Sequence, residues 1–191
     1  MAGKQAKVLT NRQLRLAMLE AGRGRHSRRD QAMLLLSIKA GLRAGEIAAL
    51  TWTMVETSDG DLSDRIELQD RAAKMKSGRS IPLNQDLRLA LGRLRRQRGE
   101  SGYVIESERG DRMRASSVVN WFRAFYARLD FAGCSSHSGR RTFITRAARM
   151  VFKAGGSLRD VQQLAGHRSI EQTQRYIDGD SQVKRRLVAL V

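Results

Sequence analysis

The sequence predicts a mainly α-helical fold carrying a small antiparallel β-sheet (α+β), in one domain covering residues 1–191. Three observations predict it. Apolar residues recur at helical spacing behind capping residues near both ends of the chain. Between those segments Ile66 and Leu68 alternate with charged residues, as in a strand exposed on one face, and Ser77-Gly78 supplies a turn into a return strand over 79–83. No internal repeat, low-complexity tract or interdomain linker divides the chain.

Taken in order, Thr10 opens the first helix with Gln13 three residues on, a capping-box pattern, and Leu14, Ala17, Met18 and Ala21 form its apolar stripe. A basic break at 22–25 follows. Ser27 is expected to cap the next helix, whose run AMLLLSI (32–38) is apolar all round and so belongs at the centre of the molecule. That helix should stop at Gly41, and GLRAGEIAAL (41–50) reads as a turn and a short helix with Arg43 at the turn. The hairpin then carries Lys74 and Lys76 near its turn and closes with Pro82, the single proline. Asn84 caps a basic helix through Arg98, with Leu87, Leu91 and Leu94 on one face. Tyr103-Val104-Ile105 is expected as a third strand before the turn at Arg109-Gly110-Asp111.

Ser116 or Ser117 starts a helix whose Val118, Trp121, Phe122 and Phe125 read as core, and Trp52 likewise reads as packing. After a polar break at 134–137, a helix is expected from about Arg140 to Met150. Gly155-Gly156 breaks the chain, and Ser157 with Asp160 starts another helix. Ser169 caps a short one with Ile170, Thr173 and Ile177 on its apolar face, which places Tyr176 near its far end, beside the stripe. A turn at 178–180 leads to a tail, 182–191, in which Leu187, Val188, Leu190 and Val191 are apolar.

Charge narrows the function. The chain has 36 Lys plus Arg against 19 Asp plus Glu, a formal +17 and a pI near 11.4. Such an excess opposes compaction and suits a polyanionic partner, nucleic acid first and an anionic membrane second. No run approaches the ~18 apolar residues of a spanning helix. The N-terminus, MAGKQAKVLT, lacks the apolar core of a secretory signal. Cys134 is the single cysteine, so an intramolecular disulfide and a cysteine-based zinc finger are excluded. Three histidines without clustered partners argue against a histidine-rich metal site. A cytoplasmic protein with no metal and no cofactor is the expectation.

The remaining signal is a set of polar residues at helix ends and turns, where side chains converge on ligands. Arg43 follows the Gly41 break and Lys74 lies in the hairpin. His137 and Arg140 are one helical turn apart. His167 precedes a cap, and Tyr176 follows on the same short helix. Two arginines, a lysine, two histidines and a tyrosine suit metal-free attack on a phosphodiester. Guanidinium groups match phosphate oxygens bidentately and offset the charge of a pentavalent transition state. A tyrosine can form a covalent intermediate, helped by a cationic pocket because its ordinary pKa is near ~10. A lysine can protonate the leaving alkoxide.

Four stretches carry a resemblance: GLRAGEI (41–47), KMKSGRSIPL (74–83), HSGRR (137–141) and LAGHRSIEQTQRY (164–176). In this order and spacing the chain resembles the catalytic domain of the tyrosine recombinases, the phage integrase family. The resemblance implies that fold and a DNA strand transferase needing neither metal nor ATP. It implies that Arg43 and Arg140 clamp the scissile phosphate while Glu46 supports the site without reacting. Lys74 would protonate the departing 5′ oxygen, with Lys76 its rival. His137 would take or relay the proton of the nucleophile, His167 would hydrogen-bond a non-bridging oxygen, and Tyr176 would attack to leave a 3′-phosphotyrosine. Implied partners are double-stranded DNA and three further copies of the chain, a homo-tetramer on paired sites that is a monomer without DNA, with no membrane involved.

Against the family pattern, Gly139 stands where a bulky apolar residue is usual, and the N-terminal core-binding domain is expected to be absent. The apolar tail either docks on a neighbouring subunit or folds back on its own domain. Two alternatives stand beside this reading: strand relaxation of the type IB topoisomerase kind, which shares these residues, and non-catalytic DNA binding, against which the retained reactive residues speak.

Overall fold

The computed structural model describes residues 5–73, 78–97, 102–176 and 188–189. Lys74, Lys76, Ser77, the end of the basic helix at Arg98, Ile177, the 178–180 turn and most of the apolar tail lie outside the described residues.

The elements run α1 (Asn11–Ala21), α2 (Ser27–Lys39), α3 (Ala44–Ala49), β1 (Arg65–Leu68), β2 (Arg79–Pro82), α4 (Gln85–Arg95), α5 (Ala115–Arg128), α6 (Ser138–Met150), α7 (Leu158–Ala165) and α8 (Ile170–Gln174). Short 3-10 turns occupy Trp52–Met54 and Val151–Ala154. The helical majority and the antiparallel hairpin are those the sequence predicts.

Helix α2 is the axis of the molecule. All seven residues of AMLLLSI are buried, because α1, α4 and α6 pack around it. The aromatic side of α5 closes another part of the core, with Trp121 stacked on Phe125 at 4.7 Å between ring centroids and Phe122 and Tyr126 buried beside them. A smaller apolar cluster joins α6 to α7 through Ile144, Ala148, Val161 and Ala165, and Tyr176 packs against it.

Local chemistry sets the element ends. Thr10 and Gln13 form the reciprocal capping box, Gln13 N–H to Thr10 Oγ1 at 3.2 Å and Thr10 N–H to Gln13 Oε1 at 3.0 Å. The segment before α1 is tied to α6, where Thr142 Oγ1 accepts from the Leu9 main-chain N–H at 2.8 Å. In the hairpin Ile66 pairs with Ile81 and Leu68 with Arg79. Directly paired residues share a face, so Arg79 lies on the same side as Ile66, Leu68 and Ile81, all three buried.

Four expectations are corrected. The N-cap of α2 is His26, with Ser27 already helical. Helix α5 begins at Ala115 behind Arg114, one residue before the expected serines. Helix α6 begins at Ser138, since Ser135 N–H donates to Ser138 Oγ at 3.0 Å and Ser138 N–H to Ser135 O at 2.9 Å, closing the turn early. Tyr103-Val104-Ile105 is not a strand: Tyr103 makes one isolated bridge, to Thr51, and the described sheet has two strands. Single bridges satisfy that segment, so no ladder propagates.

Candidate active site

The site is assembled at places where regular structure stops. Gly41 ends α2 with φ +65°, and a Cβ there would fall 2.4 Å from Phe143 Cδ1. Glycine alone allows both the left-handed turn and the close approach of α6. The turn delivers Arg43 as N-cap of α3, and Glu46, one turn on, accepts from Arg43 twice: from its main-chain N–H at 2.9 Å and from Nη1 at 2.6 Å.

Glu46 is 1% exposed and holds a second arginine. Arg79 reaches it from β2, Nη1 to Oε1 at 3.1 Å and Nη2 to Oε2 at 3.0 Å, while Arg79 Nε donates to Leu164 O of α7 at 2.8 Å. Burial acts to raise the Glu46 carboxyl, but the hydrogen bonds and charge of Arg79, joined by Arg43, outweigh it and hold the group below the ordinary carboxylate value. One carboxylate thus fixes α3, the hairpin and, through Arg79, the end of α7.

Arg140, in the first turn of α6, is 5% exposed. Its Nη1 donates to Gly41 O and its Nη2 to Ala165 O, both at 2.6 Å. These bonds use two of its five donors, leaving others for a ligand. Burial first, then the charge of Arg43, pushes its pKa down to about 9, so it remains a cation at neutral pH.

His167 follows the left-handed cap Gly166 at the end of α7. Its backbone is fixed on both sides: its N–H donates to Gln162 O at 3.1 Å, and Gln162 Nε2 donates to His167 O at 3.0 Å. Nδ1 lies 2.9 Å from the hydroxyl of fully buried Thr173. Burial, followed by the charges of Arg140, Arg43 and Arg79, pushes its pKa down to about 4. The ring is neutral at pH 7.

Tyr176 stands just beyond α8, its N–H donating to Thr173 O at 3.1 Å. Its half-buried ring lies 5.7 Å from the His167 ring, near-parallel at 21°, and the Arg141 guanidinium carbon is 5.9 Å from its centroid. His137 caps α6 and is exposed, with Nδ1 3.4 Å from Ser136 Oγ.

Five of the sequence-predicted residues, Arg43, His137, Arg140, His167 and Tyr176, line one open cavity of about 490 Å³. Glu46 lies behind the cavity wall, bound to Arg43, and Lys74 lies outside the described residues. Among the described residues three guanidinium groups lie around the one carboxylate of Glu46, a surplus of cation that an anionic ligand would relieve. Among the described residues no group of three or more His, Cys, Asp or Glu gathers in a way that could hold a metal.

Sequence reasoning missed three residues. Arg79 was readable from its two-residue spacing to Ile81, which puts a charge on the buried face of a strand and demands an acidic partner. Thr173 was read only as part of an apolar stripe, although its hydroxyl meets His167. Arg141, half-buried on the cavity wall, gave no signal beyond its neighbourhood.

Known proteins resemble this chain in sequence and in fold. Tyrosine recombinase XerC of Herpetosiphon aurantiacus is 29% identical over 164 residues, covering 82% of this chain and 50% of that protein. Tyrosine recombinase XerA of Pyrococcus furiosus is 29% identical over 151 residues, covering 78% and 49%. The chain therefore spans about half the length of these curated relatives. Among solved structures, XerA recombinase superposes with a TM-score of 0.76 at 21% identity, covering 96% of this chain and 64% of that one. The Tn1549 transposon integrase in complex with transposon right end DNA superposes with a TM-score of 0.77 at 18% identity, covering 97% and 66%. At these identities the likeness is one of fold, that of tyrosine recombinase catalytic domains. The model of the phage integrase family matches residues 7–182, and the chain belongs to that family.

Proposed function

We propose that this chain is the catalytic part of a site-specific DNA recombinase that cuts and rejoins one strand at a time through a 3′-phosphotyrosine. The observation that carries the reading is the single cavity shared by Arg43, Arg140, His137, His167 and Tyr176. Family membership supports it, as does the Tn1549 integrase, a neighbour in fold that is described with DNA.

A scissile phosphate seated between Arg43 and Arg140 meets guanidinium donors already fixed by Glu46 and by two main-chain carbonyls. Their pre-organisation favours the transition state, where negative charge on the phosphoryl oxygens is greatest. In the tautomer in which the Thr173 hydroxyl donates to Nδ1 of neutral His167, the ring carries its proton on Nε2 and offers it to a non-bridging oxygen. The Tyr176 oxygen attacks phosphorus as His137 takes its proton. The bond from phosphorus to the 5′ oxygen breaks, and Lys74 protonates the leaving alkoxide. Reversal with a new 5′ hydroxyl rejoins the strand. Reading the tail as docking on a neighbour, four copies would assemble head to tail on two duplexes, since heterologous contacts of this kind close into rings.

A nicked duplex from the neighbourhood of the gene tests the reading. The protein should become covalently joined to it through Tyr176, and Tyr176→Phe should bind the same duplex with similar affinity and form no adduct. An adduct formed by the phenylalanine variant overturns the assignment of the nucleophile.

A further inference from the structure

Tyr176 leaves a helix of only five residues, so its own element holds it weakly. Beyond its packing on the apolar cluster of α6 and α7, two polar side chains face its ring. One is His167, near-parallel at 5.7 Å and neutral at pH 7 because its pKa is pushed down to about 4. The other is Arg141, and it is the charged one of the two. Arg141 stands on α6, which is packed against α2 and α7, so its backbone is firmly placed; its N–H donates to His137 O at 2.9 Å. Its Nε is buried, and no hydrogen-bond acceptor among the described residues takes it. A buried donor without a partner is unfavourable, and here it is retained on the wall of the cavity that the tyrosine shares.

We propose that Arg141 is a positioning residue that holds the aromatic ring of Tyr176 at the cavity before DNA arrives, a role that rests on the recombinase reading for its catalytic consequence. The guanidinium plane attracts the negative face of the ring. Arg140, its neighbour in sequence, is committed to two carbonyl oxygens and to the phosphate, so α6 presents one arginine to the substrate and the next to the nucleophile. Holding the phenol near its point of attack lowers the ordering cost of reaching the transition state.

The full chain labelled with 3-fluorotyrosine tests this directly, because it has three tyrosines, Tyr103, Tyr126 and Tyr176. Without DNA, Arg141→Met should move and sharpen the fluorine resonance that disappears in Tyr176→Phe, and leave the other two in place. Single-turnover adduct formation on nicked duplex should fall roughly tenfold. Arg141→Lys, which keeps the charge, should recover part of that rate. An unmoved Tyr176 resonance in Arg141→Met overturns the proposal, and so does movement of all three resonances, which would mean a general structural role. If wild-type protein forms no adduct at all, the recombinase reading fails while the fluorine experiment still decides the contact.

Discussion

Glu46 and Arg79 form a two-pronged ion pair with the carboxylate almost wholly out of water, and the same carboxylate also receives Arg43. Removing that one charge takes from Arg43 and Arg79 the carboxylate they share and from nearby Arg140 a favourable field. Breaking a buried pair from one side costs about 3–5 kcal/mol. Glu46→Gln should therefore lower stability by about 3 kcal/mol or more in urea unfolding, and an unchanged midpoint would refute this account of the site's electrostatics.

His167 gives the site an acid limit. Its folded pKa of about 4 lies below the ordinary 6.5, so the unfolded chain takes up a proton more readily than the folded one. Its contribution is complete above pH 6.5 and is lost as pH falls toward 4. Unfolding measured across that window should show wild type losing stability relative to His167→Gln. Parallel curves for the two proteins would contradict it.

Gly139, the departure from the family pattern, has a local explanation. A Cβ at this position would lie 2.3 Å from Ser37 Oγ and 2.8 Å from Ser37 Cβ. Overpacking of this kind typically costs about 1–3 kcal/mol. Gly139→Ala should be destabilised by about that amount, and Ser37→Gly in the same chain should restore part of it. A double-mutant cycle with no coupling would dismiss the contact.

The cation surplus predicts a response to polyanions. At about 50 mM salt, a short duplex of any sequence should raise the melting temperature of the protein, and the gain should shrink steeply as salt increases. Arg43→Ala should reduce the gain at low salt. Equal stabilisation at all salt concentrations would place the binding energy elsewhere.

How much of this was legible in the sequence depended on the reach of each signal. Capping boxes, the all-apolar run of α2 and the alternation in β1 are local patterns, and the structure repeats them. Arg43, His137, Arg140, His167 and Tyr176 were found because each stands at an element end, and the fold brings all five to one cavity. Arg79 escaped because its partner, Glu46, lies 33 positions away and strand spacing shows only which way a side chain faces. The segment at Tyr103 misled for the opposite reason: its composition suits a strand, but strand formation needs a neighbour able to sustain a ladder.

The two bonds from Arg140 to main-chain oxygens carry a consequence for how such a protein decays. The same side chain fastens the end of α2 to the end of α7 and lines the cavity, so losing it should harm folding and, on the proposed reading, chemistry as well. Among the described residues the hydroxyl of Tyr176 ties no helix ends together in this way. On the proposed reading, a copy that lost the Tyr176 hydroxyl would be silent and should still fold, whereas one that lost Arg140 should be destabilised. If Tyr176 is the nucleophile, an intact tyrosine is the better mark of a working copy among sister genes of this build, and an intact arginine marks a protein that still stands.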